Sequence, residues 1–158
     1  MKGVLFLIVG IAIGVASTIA VGWNVMPNLM LDVHESALPF DATVTAIEVA
    51  AKEHGWMVPK VYDLQQSLKR AGHEIGPTKV ISLCQPEHAA GILSNDENKA
   101  VTGMMPCRIG VFQVEDRRVF VSKLNVGMMS KMFGGQIEQI MSKVSAEEKA
   151  MLNGIVLE

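Results

Sequence analysis

Two cysteines carry the most distinctive chemistry in this chain. Cys84 and Cys107 are the only cysteines among the 158 residues, and each lies at the end of a β-rich run. If those strands are neighbours, the thiols lie close together, and an oxidising compartment would permit a disulfide. The same pair could act as a redox-active or sulfur-handling dithiol, ligate a metal, or fill space as two small buried hydrophobes. The spacing is not that of a Cys-x-x-Cys redox motif and leaves these alternatives open.

A histidine and two methionines near the cysteines extend the list of candidate ligands. His88 lies four residues after Cys84, and with Cys107 it could complete a soft-metal or haem-iron site. Met104 and Met105 stand just before Cys107, and thioether with thiolate is the ligand set that selects Cu(I). The chain contains 11 methionines, however, and methionine also fills irregular cores and adaptable interfaces. Haem and copper are therefore the cofactors to consider, with plain packing as the alternative.

The remaining composition excludes several function classes. The net charge is -2, the basic residues are scattered, and only 5% of residues are aromatic, so no nucleic-acid partner is indicated. The sequence contains no HExxH, Cys-x-x-Cys-His, Gly-x-Ser-x-Gly or phosphate-loop motif. No catalytic residue and no enzyme class is therefore predicted.

The N-terminus has the composition of a membrane span. Residues 3–31 contain no charge, and the apolar run 3–23 would form a helix of about 31 Å, enough for a hydrocarbon core of about 30 Å. Lys2 precedes the run, and acidic residues follow it. The positive-inside rule then predicts a single-pass protein of the inner, cytoplasmic membrane, with its N-terminus in the cytoplasm and its domain in the periplasm. A cleaved signal peptide is the alternative, because Ala20 and Gly22 could form a cleavage site, but the run is longer than a signal h-region.

Small residues recur on one face of this helix. Gly10, Gly14, Thr18 and Gly22 follow one another at four-residue steps. Such a stripe lets a second transmembrane helix approach closely. It predicts packing against another membrane subunit or a second copy of the chain.

Periodicity predicts the elements that would position the cysteines. Met26-Pro27-Asn28 should break the first helix, and a strand follows over 29–33. A helix capped by Asp41 should end at Gly55, before an edge strand over 57–62 that contains Pro59. The next expected elements are a helix over 63–72, a strand over 79–84, and a short helix starting at Pro86.

The second half of the chain predicts a hairpin and helices. Residues 94–99 are polar and predict a surface loop, and the runs 107–114 and 119–124 predict a hairpin. Helical periodicity returns after Gly127, and a capping-box pattern starting at Ser145 predicts a last short helix. The predicted fold class is α+β, with one N-terminal transmembrane helix followed by a small single-sheet domain with helices packed on it.

Several spaced motifs resemble a known family. Residues 40–44 and 55–56, the Cys-x-Pro at 84–86, and the Met-Pro-Cys start of 105–111 resemble, in order, the pattern of the domain-of-unknown-function 302 (DUF302) family. The resemblance covers about 38–126 and implies a small α+β domain, often a homodimer, with no assigned activity. The chain departs from the pattern in its membrane anchor, in Met105 where leucine is usual, and in lacking a proline after the last strand.

These observations divide the chain into an anchor (1–25), a linker with the first strand (26–38), a DUF302-like α+β domain (39–126) and a C-terminal helical extension (127–158). Two functions fit. The first is a membrane-anchored extracytoplasmic accessory or interaction module, a non-catalytic subunit or partner of a respiratory or sulfur-related membrane assembly. The alternative is a thiol-based redox, sulfur-handling, haem-binding or copper-binding protein that uses Cys84 and Cys107.

Overall fold

The first helix leads directly into the sheet. The computed structural model describes residues 2–157, so Met1 and Glu158, the ends of the predicted anchor and extension, lie outside it. Helix α1 spans Lys2–Met30, and strand β1, Leu31–Glu35, follows at once. The segment Val9–Met30 is long and apolar enough to cross a membrane. The predicted break at Pro27 is wrong, since Pro27 lies inside α1. A proline removes one backbone donor but can be accommodated with a kink when the residues around it stay helical.

Five antiparallel strands form one sheet in the order β1-β5-β4-β3-β2. Strands β2 (Met57–Asp63) and β3 (Thr78–Cys84) precede the hairpin of β4 (Cys107–Gln113) and β5 (Val119–Leu124). Strand β2 lies at an edge, as Pro59 predicts, and its register with β3 shifts between Met57 and Lys60. The fold class is confirmed as α+β with a single sheet.

Helices cover one face of this sheet. The helices after β1 are α2 (Phe40–Glu53), α3 (Leu64–Arg70), α4 (Pro86–Leu93), α5 (Val126–Ser130) and α6 (Gly135–Leu152). Helix α2 contacts β2, β3 and β4, and α6 packs against α2, α4 and α5. Buried strand residues such as Ile81, Ile109 and Val121 form the core with Ile47 of α2 and Val144 of α6. The face occupied by these strand side chains is called the covered face below.

The C-terminal helices belong to the same fold. Met151, Leu152 and Ile155 lie in the core cluster. The backbone N–H of Leu157 donates to the carbonyl of Glu35 at 2.8 Å, which joins the end of the chain to β1. Residues after 127 therefore help to enclose the covered face.

Three local predictions are corrected. Helix α2 begins at Phe40 after Pro39, without a side-chain cap; Asp41 instead forms an ion pair with Lys79 at 2.9 Å. Residues Asp96–Met104 form a 3-10 helix, in place of the surface loop predicted over 94–99. Ser145 starts no new helix, because α6 runs through it without interruption. The acidic side chains after Ser145 have tertiary partners, described below, so their sequence position gave a false capping signal.

Candidate functional site

A cavity of about 220 Å³ lies at the end of the sheet where β3 ends and β4 begins. Helices α4, α5 and α6, the 3-10 helix and the turn before β4 enclose it. Its lining is mainly apolar, with Trp56, Ile92, Met141 and Val144 among the side chains. Cavities of a comparable size hold molecules such as benzene in other proteins. The cavity is the best-formed candidate site in the part of the chain that the structure describes.

Both cysteines line this cavity, and their predicted proximity is confirmed. Cys107 pairs with Leu83 across β3 and β4, so Cys84 is one residue out of register with it. From strand spacing and rise, their Cα atoms lie about 6 Å apart, inside the range of disulfides. Both thiols are free and half-buried. Because consecutive strand residues point to opposite faces, a disulfide would require Cys84 at the strand end to turn toward Cys107.

The Cys107 thiol is held in its protonated form. Burial raises its pKa to about 12, and the nearby Glu148 and Cys84 add to the rise, while Lys123 acts in the opposite direction. At neutral pH the residue is therefore a neutral thiol. Since the thiolate is the nucleophile and the metal ligand, this environment disfavours both roles.

A series of charged groups runs from the partly exposed His34 and Asp32 to the buried Lys123 and Glu148 near the cysteine. Lys123 Nζ lies 3.1 Å from Asp32 Oδ2 and 3.3 Å from Glu148 Oε2, and His34 Nε2 lies 2.7 Å from Asp32 Oδ1. Lys123 is 8% exposed and Glu148 is 1% exposed. Burial opposes ionisation of Asp32, but the hydrogen bonds and charges of Lys123 and His34 bring its pKa below the ordinary value. Lys123 thus links the strand after α1 to the cavity.

Among these charged side chains, Glu148 is the one with a buried oxygen that lacks a hydrogen-bond partner. Its side chain lines the cavity, and Oε2 has no hydrogen-bond partner among the described residues, although the ammonium of Lys123 stands near it. Burial raises the pKa of Glu148, and Asp32 adds to the rise, against the opposing effects of Lys123 and Cys107. The attraction to the ammonium of Lys123 offsets part of the cost of burying this carboxylate.

The neighbouring Glu147 holds two aromatic side chains of the cavity wall in place through hydrogen bonds. Trp56 Nε1 donates to Glu147 Oε2 at 2.8 Å, and His88 Nε2 is 2.8 Å from Glu147 Oε1. The two rings meet edge to face, with centroids 6.3 Å apart. His88 lines the same cavity as Cys84 and Cys107, but one of its ring nitrogens is already hydrogen-bonded to Glu147.

The methionines also converge here. Met104 and Met105 line the cavity together with Met129 of α5 and Met141 of α6. Within residues 2–157, no three His, Cys, Asp or Glu side chains are grouped so that they could hold a metal ion. The soft sulfur atoms therefore surround an apolar space rather than a cluster of charged ligands.

The glycine stripe of α1 lies apart from this site. A Cβ built at Gly10, Gly14 or Gly22 meets no atom within 4 Å, and the hydroxyl of Thr18 donates to the carbonyl of Gly14 at 2.9 Å, within the same helix. The stripe is exposed along its length. The helix that would pack on it remains a prediction.

Sequence reasoning missed Lys123, Glu147 and Glu148 as site residues. One signal for Lys123 was present. It follows Val119 and Val121 at the same period of two, and a cation at an inward position of such a strand indicates a buried ion pair. No comparable signal marked the two glutamates.

The comparisons with known proteins identify the fold and the family, and no curated protein matches the chain. A solved structure described as uncharacterized conserved protein DUF302 from Bacillus stearothermophilus is similar, with a TM-score of 0.71, 19% identity, and coverage of 80% of this chain and 98% of that chain. At that identity the likeness concerns the fold. The family model "Domain of unknown function DUF302" matches residues 32–155, a range that extends beyond the predicted 39–126 in both directions and includes β1 and α6. Because the match covers most of the chain, this protein belongs to the DUF302 family.

Proposed function

We propose that this protein is a membrane-anchored, extracytoplasmic, non-catalytic binding module that holds a small apolar molecule in the cavity beside Cys107. The observation that supports the proposal is the largely apolar cavity with the carboxylate-bearing side chain of Glu148 in its wall. Binding sites of this kind combine an apolar wall, which supplies affinity, with a few polar groups that fix orientation.

The size of the cavity limits the ligand to a small molecule. A volume of about 220 Å³ suits an aromatic or short aliphatic compound of roughly ten heavy atoms, judged against cavities that hold benzene. The methionine side chains can adapt to its outline. A hydrogen-bond donor on the ligand would complement the Glu148 carboxylate, which already lies beside Lys123. A haem is much larger than this space and would require the helices to move apart.

The state of the thiol supports binding rather than catalysis. A Cys107 pKa of about 12 leaves almost no thiolate at neutral pH. Glu148 and Lys123 are ion-paired with each other, and neither is a free acid or base.

The predicted membrane anchor determines where the domain would lie in this proposal. Helix α1 would hold the domain at the periplasmic side of the cytoplasmic membrane, with Lys2 on the cytoplasmic side. The exposed stripe of Gly10, Gly14, Thr18 and Gly22 would receive a helix of a partner subunit or of a second copy. Such a module would act as an accessory part of a membrane assembly, and a respiratory or sulfur-related one remains the expected context.

The binding function is tested with indole and its carbon analogue indene on the full chain in detergent. Both have nearly the same shape, but only indole carries an N–H donor. A hydrogen bond to a charged acceptor contributes about 1.5–3 kcal/mol, so indole should bind at least about tenfold more tightly than indene. Isothermal titration calorimetry measures both affinities.

A pair of variants on one helix provides the control. Ala89 lines the cavity and Ala90, its neighbour on α4, is exposed. Ala89→Leu should fill the cavity and abolish binding, whereas Ala90→Leu should bind as the wild type does. Ile137→Phe is a second filling variant if Ala89→Leu does not fold. Equal binding by wild type and a folded filled variant would refute the proposal, as would equal affinity for indole and indene.

The thiol function is the second candidate, favoured by the shared cavity wall of Cys84 and Cys107. Its redox form is the two-electron oxidation of both thiols to a disulfide by an external disulfide, whose S–S bond breaks and whose two sulfurs take up the two protons as thiols. Incubation with oxidised glutathione and thiol counting by mass spectrometry test it. Rapid formation of the intramolecular disulfide would favour this candidate over simple binding, and persistent free thiols would dismiss it. Competition for Cu(I) with a chelator tests the copper form, with Cys107→Ser and Met104→Leu as variants.

A further inference from the structure

We propose that the cavity opens at the surface of the bilayer, and that its ligand enters from the lipid. This inference rests on the proposed anchoring and binding function and deepens it by naming the source of the ligand. It is carried by the position of the cavity mouth relative to the end of α1.

Exposed lining residues mark the mouth. Phe133, Met104 and Leu124 line the cavity and are 49%, 37% and 36% exposed, respectively, and the lining residues Gly103 and Arg108 are exposed as well. Other lining residues, such as Ile92 and Glu148, are almost fully buried. A ligand therefore enters past Phe133, Met104 and Leu124.

The mouth adjoins the last turn of α1. Leu124 pairs with Leu31, the first residue after α1, and the N–H of Asn125 donates to the carbonyl of Met30 at 2.8 Å. Helix α5, which supplies Val126 and Met129 to the cavity wall, also contacts α1. The segment that is long and apolar enough to cross a membrane ends at Met30, seven residues beyond the predicted run 3–23, and this later end would bring the mouth to the membrane surface.

The surface beside the mouth has interfacial chemistry. Met132 is 80% exposed and directly precedes Phe133, and the exposed Lys131 precedes both. Apolar side chains exposed in this way are unfavourable in water but are stabilised in the headgroup region, where an adjacent lysine can reach lipid phosphates. These three residues form the rim, and the rim would lie in the bilayer interface.

The inference is tested with a fluorescent reporter in vesicles of phosphatidylcholine and phosphatidylglycerol. Trp23 is first replaced by Phe, and Trp56, which is 3% exposed, stays as a buried reference. Met132→Trp then places an indole on the rim. Glu115→Trp is the matched control, because Glu115 is exposed in the β4–β5 turn, at the opposite end of those strands from Leu124.

Phosphatidylcholine brominated near the headgroup quenches indoles that reach the interface. The Met132→Trp protein should lose at least about twofold more emission than the Glu115→Trp protein, since interfacial aromatic side chains lie at this depth. Equal quenching would overturn the inference and leave the mouth open to water or to a protein partner. Failure of the chain to float with vesicles would refute the anchor itself. Indole titration in detergent tests the cavity separately.

Discussion

The two faces of the sheet differ in how far their charged and apolar side chains are exposed to water. On the covered face, Val121 is 1% exposed and Lys123 is 8% exposed, so every polar group there needs a partner. On the opposite face, Val33 is 47% and Tyr62 is 40% exposed, and Phe112 stacks on Phe120 at a centroid distance of 5.6 Å. Water contacts these side chains on the second face, so a substitution there should change the stability of the fold less. The covered face is where a substitution should matter, and where a binding site could be built from few polar groups.

The largest expected effect is on the covered face, from Lys123→Met. This change leaves Glu148 buried without its cation, and breaking a buried pair in this way costs about 3–5 kcal/mol. Urea unfolding of the full chain in detergent, followed by circular dichroism, measures the loss. Lys99→Met is the control, because Lys99 forms only an exposed pair with Asp96 and should change stability by less than about 1 kcal/mol. Equal stability of both variants would mean that the buried charges are not structural.

A single substitution made on each face sharpens the comparison. Val121→Ala removes two methyl groups from the core and should destabilise the protein by about 2 kcal/mol. Val33→Ala makes the same change on the open face and should stay within about 0.5 kcal/mol. Similar losses in the two unfolding curves would show that Val33 is covered in the intact protein, for example by another chain.

A smaller effect is expected in the pH dependence of stability. Because the pKa of Glu148 is raised in the folded state, its favourable contribution is complete below the ordinary pKa of about 4.3 and is lost as pH rises through the folded value. The wild type should therefore lose stability over that interval relative to Glu148→Gln, which cannot ionise. Asp32 acts in the opposite sense, since its lowered pKa stabilises the fold above the ordinary value and that contribution is lost in acid. Unfolding midpoints of the two proteins at several pH values measure the difference. A constant difference would contradict a titrating Glu148.

The sequence predicted features that short-range physics determines. The edge position of β2 follows from Pro59, and helices α2 and α3 end two residues before Gly55 and Gly72, which have positive φ angles. The proximity of Cys84 and Cys107 follows from two adjacent strand ends. These interactions act within a few residues or one strand pairing, so the sequence pattern contains them.

The cavity was not predictable in the same way. Glu147 and Glu148 share a helical turn, yet one contacts Trp56 and the other Lys123, because helix packing turns the first toward α4 and the second toward the sheet. The capping-box pattern placed both glutamates in the first turn of a new helix starting at Ser145, and this prediction was wrong. Met104 and Met141 line one cavity only because α6 packs beside the 3-10 helix. Such convergence depends on tertiary packing, which periodicity does not encode.

The smallest expected effect on folding lies outside both faces, in α1. Gly14→Leu should leave the urea midpoint of the outer domain unchanged, because a side chain at Gly14 meets nothing within 4 Å in this chain. It should nevertheless weaken association through the helix, since leucine blocks the close approach that a small-residue stripe permits. Native mass spectrometry of a mild detergent extract measures bound subunits and dimers. Ala12→Leu, two residues away and on the opposite side of the helix, is the control and should retain them. If Gly14→Leu keeps the same associated chains as Ala12→Leu, the stripe is not an interface and α1 serves only as a tether.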